Sequence, residues 1–290
     1  MRKNYGERVF QAFLWLLVGF FSLLVLLPVW NIVVLSLNDA NDAAKGGVTL
    51  WPRAFSLENY KVVFQYPQIF NSFWISISKT FLGVTTHVLF CSMVAYAMSK
   101  KHLMGRQWFI RLGIVTMFFG GGLIPSFLLM KSLGLLDNYL IYIIPAVFSF
   151  YDMIILMNFF REIPDSLEES AAIDGASTYY IFWRIILPLS MPVLATIALF
   201  NGVGQWNDYM TAKIYINNPD LHPVQMFLYK IIVQEEASKL NHAASVIVMP
   251  TTARSLQLAT MVITTAPIVM VYPFLQKYFV KGMMVGSVKG

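Results

Sequence analysis

Long apolar runs separated by short polar breaks dominate the chain. Six such runs stand out, at about 10–37, 70–98, 108–130, 139–160, 185–209 and 256–279. A helix needs roughly 20 apolar residues to cross a bilayer. The pattern therefore predicts an all-α, polytopic membrane protein: six transmembrane helices making a single transmembrane domain over 1–290. Basic residues crowd the breaks that fall on one side. Arg2, Lys3 and Arg8 precede the first run, Lys100, Lys101 and Arg106 fill the turn after the second, and Lys277, Lys281 and Lys289 close the chain. Lys and Arg collect in short cytoplasmic segments, so both termini are expected inside. The first run is longer than a signal-peptide core and is expected to stay as an uncleaved span.

Two outer loops are long. In the first, about 38–69, Pro52 is followed by Ser56-Leu57-Glu58-Asn59-Tyr60, with Ser56 a candidate N-cap for a short helix. In the second, 210–255, Val224, Phe227, Leu228, Ile231 and Ile232 fall on one face of an amphipathic helix. Pro223 suits its first turn. This helix either caps the outer face of the bundle or meets an external partner, and the two roles are compatible.

Composition narrows the classes. Of 290 residues, 57% are hydrophobic and only 12% charged, which leaves no room for a large soluble domain. The formal charge of +6 belongs to the edges of the spans rather than to a nucleic-acid site, because no basic run interleaves with aromatics. Cys91 is the sole cysteine, which excludes an internal disulfide and a cysteine-built metal site. No G-x-x-x-x-G-K-[ST] occurs, so the chain has no P-loop for nucleotide phosphates. No H-E-x-x-H occurs either, no metal site is expected, and no catalytic residue is assigned.

One polar, acidic stretch interrupts this pattern between the fourth and fifth runs. Over 164–184 the chain reads PDSLEESAAIDGASTYYIFWR. Pro164 ends the preceding helix, and Ser166-x-x-Glu169 fits a capping box that starts a new one. Ala171 and Ala172 give it a low profile, and Asp174-Gly175 signals a turn. A second short helix is expected at about 177–183, and Leu187-Pro188 marks re-entry into the membrane. Small residues allow close approach, and Glu168, Glu169 and Asp174 offer charge to a basic partner. A helix lying on the bilayer surface is disfavoured by that acidity, since anionic headgroups attract Lys and Arg.

The same stretch resembles the cytoplasmic motif of bacterial ABC importer permeases: E-A-A-x-x-x-G, nine residues, then I-x-L-P. Glu169-Ser170-Ala171 stands for E-A-A, Gly175 is the motif glycine, and Ile185, Leu187 and Pro188 complete it, with Ser170 the one departure. The resemblance implies that Ser166, Glu168, Glu169, Ser170, Ala171, Ala172, Asp174, Gly175 and Ala176 form a coupling helix docked in a partner ATPase. Over the whole chain the resemblance is to the smaller permease of maltose-type carbohydrate importers, through Trp206-Asn207-Asp208 and the closing Lys281-Gly282…Gly286-Ser287-Val288-Lys289-Gly290. In that family such a tail runs between the two ATPase subunits, which implies an interface at Lys281, Gly282, Lys289 and Gly290. Gly121-Gly122-Leu123-Ile124-Pro125 and Tyr272-Pro273-Phe274-Leu275-Gln276-Lys277-Tyr278-Phe279 are similar to a subgroup that imports oligo- and polysaccharide, some of it uronide such as alginate. The implied partners are a second permease in a heterodimer, an ATPase dimer carrying ATP and Mg, an external solute-binding protein and the bilayer. The implied location is the bacterial inner membrane, with no cofactor in this chain.

Ionisable groups inside spans are costly and mark function by default. Lys79, His87 and Asp152 are such groups here. A Lys79–Asp152 pair, a translocation path and headgroup snorkelling are all open readings. Tyr151, Asn201, Gln205, Trp206, Asn207 and Asp208 join Lys79 and Asp152 as candidates for a sugar path, while Trp206 equally suits an interfacial belt. The Gly120-Gly121-Gly122 run with Pro125 is expected to weaken or kink the third span. Rival classes are a secondary transporter, which needs ion-coupling carboxylates and repeated halves, and a membrane-embedded enzyme, which needs a convergent nucleophile or metal set.

Overall fold

The computed structural model describes residues 5–241 and 253–287. Among the described residues the chain is nearly all helical, with only an isolated bridge between Asn38 and Phe55. The helices are α1 (Tyr5–Ser36), α2 (Ala40–Ala44), α3 (Glu58–Gln65), α4 (Gln68–Ser99), α5 (Arg106–Phe118), α6 (Leu123–Ser132), α7 (Phe150–Glu162), α8 (Asp165–Ile173), α9 (Thr178–Ile181), α10 (Leu187–Leu189), α11 (Met191–Asn207), α12 (Met210–Tyr215), α13 (Val224–Asn241) and α14 (Ala253–Ser287). Short 3-10 turns lie at Tyr139–Tyr142, Ile144–Ala146 and Pro219–Leu221, and a π-turn at Phe182–Ile186.

Length and composition qualify three helices as continuous membrane spans, in α1, α4 and α14. The other three apolar runs are bent pairs. The third run breaks by 115° between α5 and α6. The cause is the glycine run: Gly122 has φ +84°, and Pro125 in the first turn of α6 has no N–H to extend a helix backwards. The fourth run bends by 46° between its 3-10 turns and α7. Ser149 starts α7 by accepting the Asp152 N–H at 3.2 Å. The fifth bends by 78° at Ser190, between α10 and α11. Pro192 lacks the N–H that would have bonded back across that break. Three of the spans expected from hydropathy are therefore broken, the third as its glycine run foretold; proline removes a helix hydrogen bond and glycine frees the backbone, neither of which hydropathy registers.

The chain divides into two compact units. The first comprises the residues up to Ile69 with Leu228–Ala266. Its α1 is exposed along most of its apolar length, with Phe13, Leu16, Phe20 and Leu23 all facing outward. The loop after α1 is tied down by side chains. Asn59 Nδ2 donates to the Ser36 and Asn38 carbonyls at 3.0 and 2.9 Å, and Asn38 Oδ1 accepts the Ala54 N–H at 2.9 Å. Arg53 pairs with Asp42 at 3.1 Å. The expected cap at Ser56 is displaced: α3 starts after Leu57, and Ser56 Oγ accepts only the Glu58 N–H.

The second unit comprises Phe70–Phe227 with the residues from Pro267. Its core joins Cys91, Ala95 and Met98 of α4, Met153, Leu156 and Phe160 of α7, Phe182 and Ile186 of the π-turn, and Leu194 and Ile197 of α11. In lipid such a core is held by close packing, not by a hydrophobic driving force. Gly113 of α5 shows how close: a Cβ there would lie 1.9 Å from the Phe150 ring. At the loop before the 3-10 turns, Asp137 accepts the Asn218 N–H at 2.9 Å and also that of Asn217. These donors hold its carboxyl below the usual carboxylate range. The amphipathic pattern expected in the second loop is helical, as α13. Pro223 sits just before the helix, where its carbonyl accepts the Met226 and Phe227 N–H groups.

Candidate functional site

The acidic stretch between the fourth and fifth runs builds a rigid, shaped end of the second unit. Pro164 delivers the chain into α8, and no side chain caps its N-terminus. The capping box expected from Ser166 and Glu169 does not form, because the helix begins at Asp165 with Pro164 as its N-cap, and Ser166 lies inside it. Its backbone carbonyl accepts the Ser170 hydroxyl at 2.8 Å instead. The far end is closed by a Schellman turn. The Ala176 N–H donates to the Ala171 carbonyl at 2.9 Å and the Gly175 N–H to the Ala172 carbonyl at 3.0 Å. Gly175 supplies the required left-handed backbone, φ +83°. Ser177 then caps α9 through the Tyr180 N–H at 3.3 Å.

The two faces of α8 differ in role. Glu168 and Ala171, three residues apart, face inward. Ala171 and Ala176 pack on the core. Glu168 accepts the Tyr96 hydroxyl at 3.1 Å and pairs with Lys100 Nζ, which lies 4.3 Å over the Tyr96 ring. Lys101 adds a looser pair with Asp165 at 3.7 Å. The short basic turn after the second run is thereby fixed to the acidic stretch. Glu168 is therefore occupied within the chain, and is not offered to a partner as its charge alone suggested. Glu169, Ser170, Ala172 and Asp174 are exposed on the other side. They are joined by two side chains that sequence reasoning missed: Ile173, 86% exposed, and Tyr179, 80% exposed. These two large side chains stand bare beside the small residues of the same stretch. The apolar residue inside the acidic motif was the available signal.

The polar groups inside the spans sort into two sets. Lys79 of α4 is fully buried; its Nζ donates to the Asp208 carbonyl at 2.9 Å and lies 3.6 Å from the Asp208 carboxylate. Tyr142 offers its ring face at 4.8 Å. A Lys79–Asp152 pair is not formed. Asp152 instead shares a hydrogen bond of 2.9 Å with His87 Nε2, while His87 Nδ1 donates to the Ala146 carbonyl at 2.7 Å. His87 thus satisfies a carbonyl freed by the bend before α7.

Asn201, Gln205 and Asp208 share one face of α11 and its C-cap at i, i+4 and i+7, and line a common cavity. The other two residues of that group do not join them. Trp206 is buried against Phe73, with ring centroids 6.4 Å apart, and is no interfacial belt residue. Asn207 bonds the Val203 carbonyl at 2.9 Å and Gln225 at 3.3 Å. Tyr151 is exposed, away from this cavity's lining. Lys281 and Gly282 fall in α14, while Lys289 and Gly290 lie outside the described residues.

The chain belongs to the family of binding-protein-dependent transport system inner membrane components, whose family model matches residues 1–285. It is a transport-system membrane component, not an ATPase. Protein LplC of Bacillus subtilis (strain 168) is 41% identical over 290 residues, covering 100% of this chain and 98% of the relative. The polygalacturonan/rhamnogalacturonan transport system permease protein YtcP of the same organism is 38% identical, covering 98% and 99%. Among solved structures, a bacterial ABC transporter involved in the import of the acidic polysaccharide alginate superposes with TM-score 0.86 at 32% identity, over 96% of this chain and 99% of that one.

Proposed function

We propose that this chain is one of two permease subunits of an ATP-driven importer of oligo- or polysaccharide fragments that contain uronate. Its six apolar runs cross the bacterial inner membrane with both termini in the cytoplasm, each bent pair counting as one span. The exposed face of α8 docks in a cleft of an ATPase dimer, which binds ATP and Mg. A second, related permease completes the translocation path, and an external solute-binding protein delivers the sugar to the 210–255 loop. The closing Lys281, Gly282, Lys289 and Gly290 run between the ATPase subunits.

The observation that carries this reading is the construction of α8. It is closed by the Gly175 turn, packed through Ala171, and tied by Glu168 to the end of α4. A segment held at three points transmits displacement; a flexible linker would absorb it. The pairing of the basic turn with the acidic stretch also supports one common side for both. The names of the relatives support the sugar class. Gly175→Asp puts a Cβ where φ is +83° and a new charge on the exposed end of α8. The variant is expected to assemble in the membrane while ATP hydrolysis separates from uptake. Unchanged uptake per ATP hydrolysed would count against docking at α8.

A further inference from the structure

The chain that returns along the end of α1 is built unlike a loop in water. Trp30 Nε1 of α1 donates to the Leu50 carbonyl at 2.9 Å. Asn31 Nδ2 donates to the Thr49 and Val48 carbonyls at 2.9 and 3.2 Å. Three consecutive carbonyls are thus taken by side chains of the helix. Further along, the Ala54 carbonyl accepts the Asp39 N–H at 2.7 Å, and Pro52 has no N–H to satisfy. Arg53 is occupied as well: its Nε meets the Asp42 carboxylate at 3.1 Å, and its Nη2 donates to the Gly46 carbonyl at 2.8 Å. A backbone in water can leave such groups to the solvent, whereas one in lipid must satisfy them internally.

The large apolar side chains of the same stretch are left bare. Leu50 is 52% exposed, Trp51 74% and Phe55 66%. Trp51 meets Trp30 edge to face, with ring centroids 6.0 Å apart. Trp30 lies before the end of α1 at Ser36, about 9 Å back along the helix axis. The loop therefore comes down the helix to the level where the bare apolar surface of α1 begins. Leu26, Leu27 and Val29 are exposed, and from Asn31 onward α1 is half-buried or buried.

We propose that segment 48–55 is a membrane anchor whose partner is the bilayer itself, at the boundary between headgroups and acyl chains of the outer leaflet. The inference rests on α1 crossing the bilayer, and not on the cargo or the ATPase. Trp51 sits at that boundary, where an indole offers its rings to apolar chains and its N–H to headgroups. Leu50 and Phe55 enter the acyl chains. The patch continues the bare face of a helix long and apolar enough to span. Its one cation, Arg53, is neutralised by Asp42, so the patch offers a protein partner no free charge to fix a register. For the same reason the contact is apolar and does not require anionic lipid. The anchor holds the outer end of α1 at a set depth.

The test uses the native complex, purified through this chain in a Cys91→Ala background and reconstituted in phosphatidylcholine vesicles with and without phosphatidylglycerol. Single cysteines carry a nitroxide label, and the signal of the same complex without the added cysteine is subtracted. Power saturation compares collisions with oxygen, which concentrates in lipid, and with a nickel chelate, which stays in water. Labels at Leu50→Cys and Phe55→Cys, each of which leaves Trp51 in place, are expected to favour oxygen in both lipid mixtures. A label at Ala44→Cys, on exposed α2, is expected to favour the chelate. Trp51→Ser is expected to shift the Leu50→Cys label towards the chelate by about tenfold or more, because the indole no longer holds the segment in lipid. The anchor is overturned if the chelate reaches the Leu50→Cys and Phe55→Cys labels as readily as the Ala44→Cys label. It is overturned equally if neither reagent reaches them, which would mean that a protein covers the patch, if oxygen is favoured only with phosphatidylglycerol, or if Trp51→Ser changes nothing. Chelate access to a label at Phe20→Cys, midway along α1, would take α1 out of the bilayer and overturn the spanning reading as well.

Discussion

Lys79 and Asp208 show what a single residue's surroundings decide. Both carry charge, yet they are unequally exposed: the lysine is fully buried and the aspartate side chain is 27% exposed. Removing either partner of a buried pair strands the other, and the cost falls on the charge that cannot reach water. Asp208→Asn is therefore expected to cost about 3 kcal/mol, the low end for a broken buried pair, because the Asp208 carbonyl still accepts from Lys79. Lys79→Met leaves a carboxylate that water can reach and should cost less. Thermal unfolding of the two variants in detergent checks the order; equal losses would mean that Lys79 is not the committed charge. Sequence reading named both residues but paired Lys79 with Asp152. Hydropathy places a charge at a depth in the membrane. It does not reveal which neighbouring helix turns towards it, nor that His87 already holds Asp152.

Among the elements, α8 and the end of α4 form the clearest working pair. Glu168 meets both Tyr96 and Lys100, so α8 is tied to the end of the second run and not only to its covalent neighbours. A surface ion pair contributes little, about 0–1 kcal/mol. This one is half-buried and backed by the Tyr96 hydroxyl, so its loss should appear in coupling before it appears in stability. Glu168→Gln and Lys100→Met are each expected to lower uptake per ATP hydrolysed several-fold with assembly preserved, and the Glu168→Lys/Lys100→Glu exchange should restore part of it. Failure of the exchange to rescue, with both single variants coupled normally, removes the clamp from the mechanism. The helix itself was legible: its acidity, its alanines and the Asp174-Gly175 turn all stood in the sequence. Its start was not, because Ser166 satisfies the capping pattern while Pro164 already admits the chain to the helix. The inward role of Glu168 was hidden as well, since a charge in a loop looks the same whether its partner lies in another protein or one helix away.

For the whole molecule, the testable property is topology. Cys91 is buried in the second unit, so a Cys91→Ala background removes the sole native thiol. Single cysteines then report sides through a membrane-impermeant thiol reagent. Gly46→Cys, in the loop after α1, should react from outside in intact cells. His102→Cys, in the basic turn, should react only after the membrane is opened. The reverse pattern would invert the proposed orientation and detach α8 from a cytoplasmic ATPase.

The linear pattern alone sufficed for the apolar runs, their approximate ends, the exceptional acidic stretch and the glycine that closes it. Each depends on local composition or on one residue's backbone freedom. The breaks within three runs were half legible: Gly120-Gly121-Gly122 announced that of the third run and Pro192 stood at that of the fifth, while the bend before α7 depends on which carbonyls find other donors. The bare Ile173 and Tyr179 beside α8, the His87–Asp152 and Lys79–Asp208 pairings, and the gathering of Asn201, Gln205 and Asp208 around one cavity came from folding. Those features depend on rotation of each helix about its own axis. In an almost uniformly apolar chain that rotation leaves hardly any mark on hydropathy, and packing against neighbouring helices sets it.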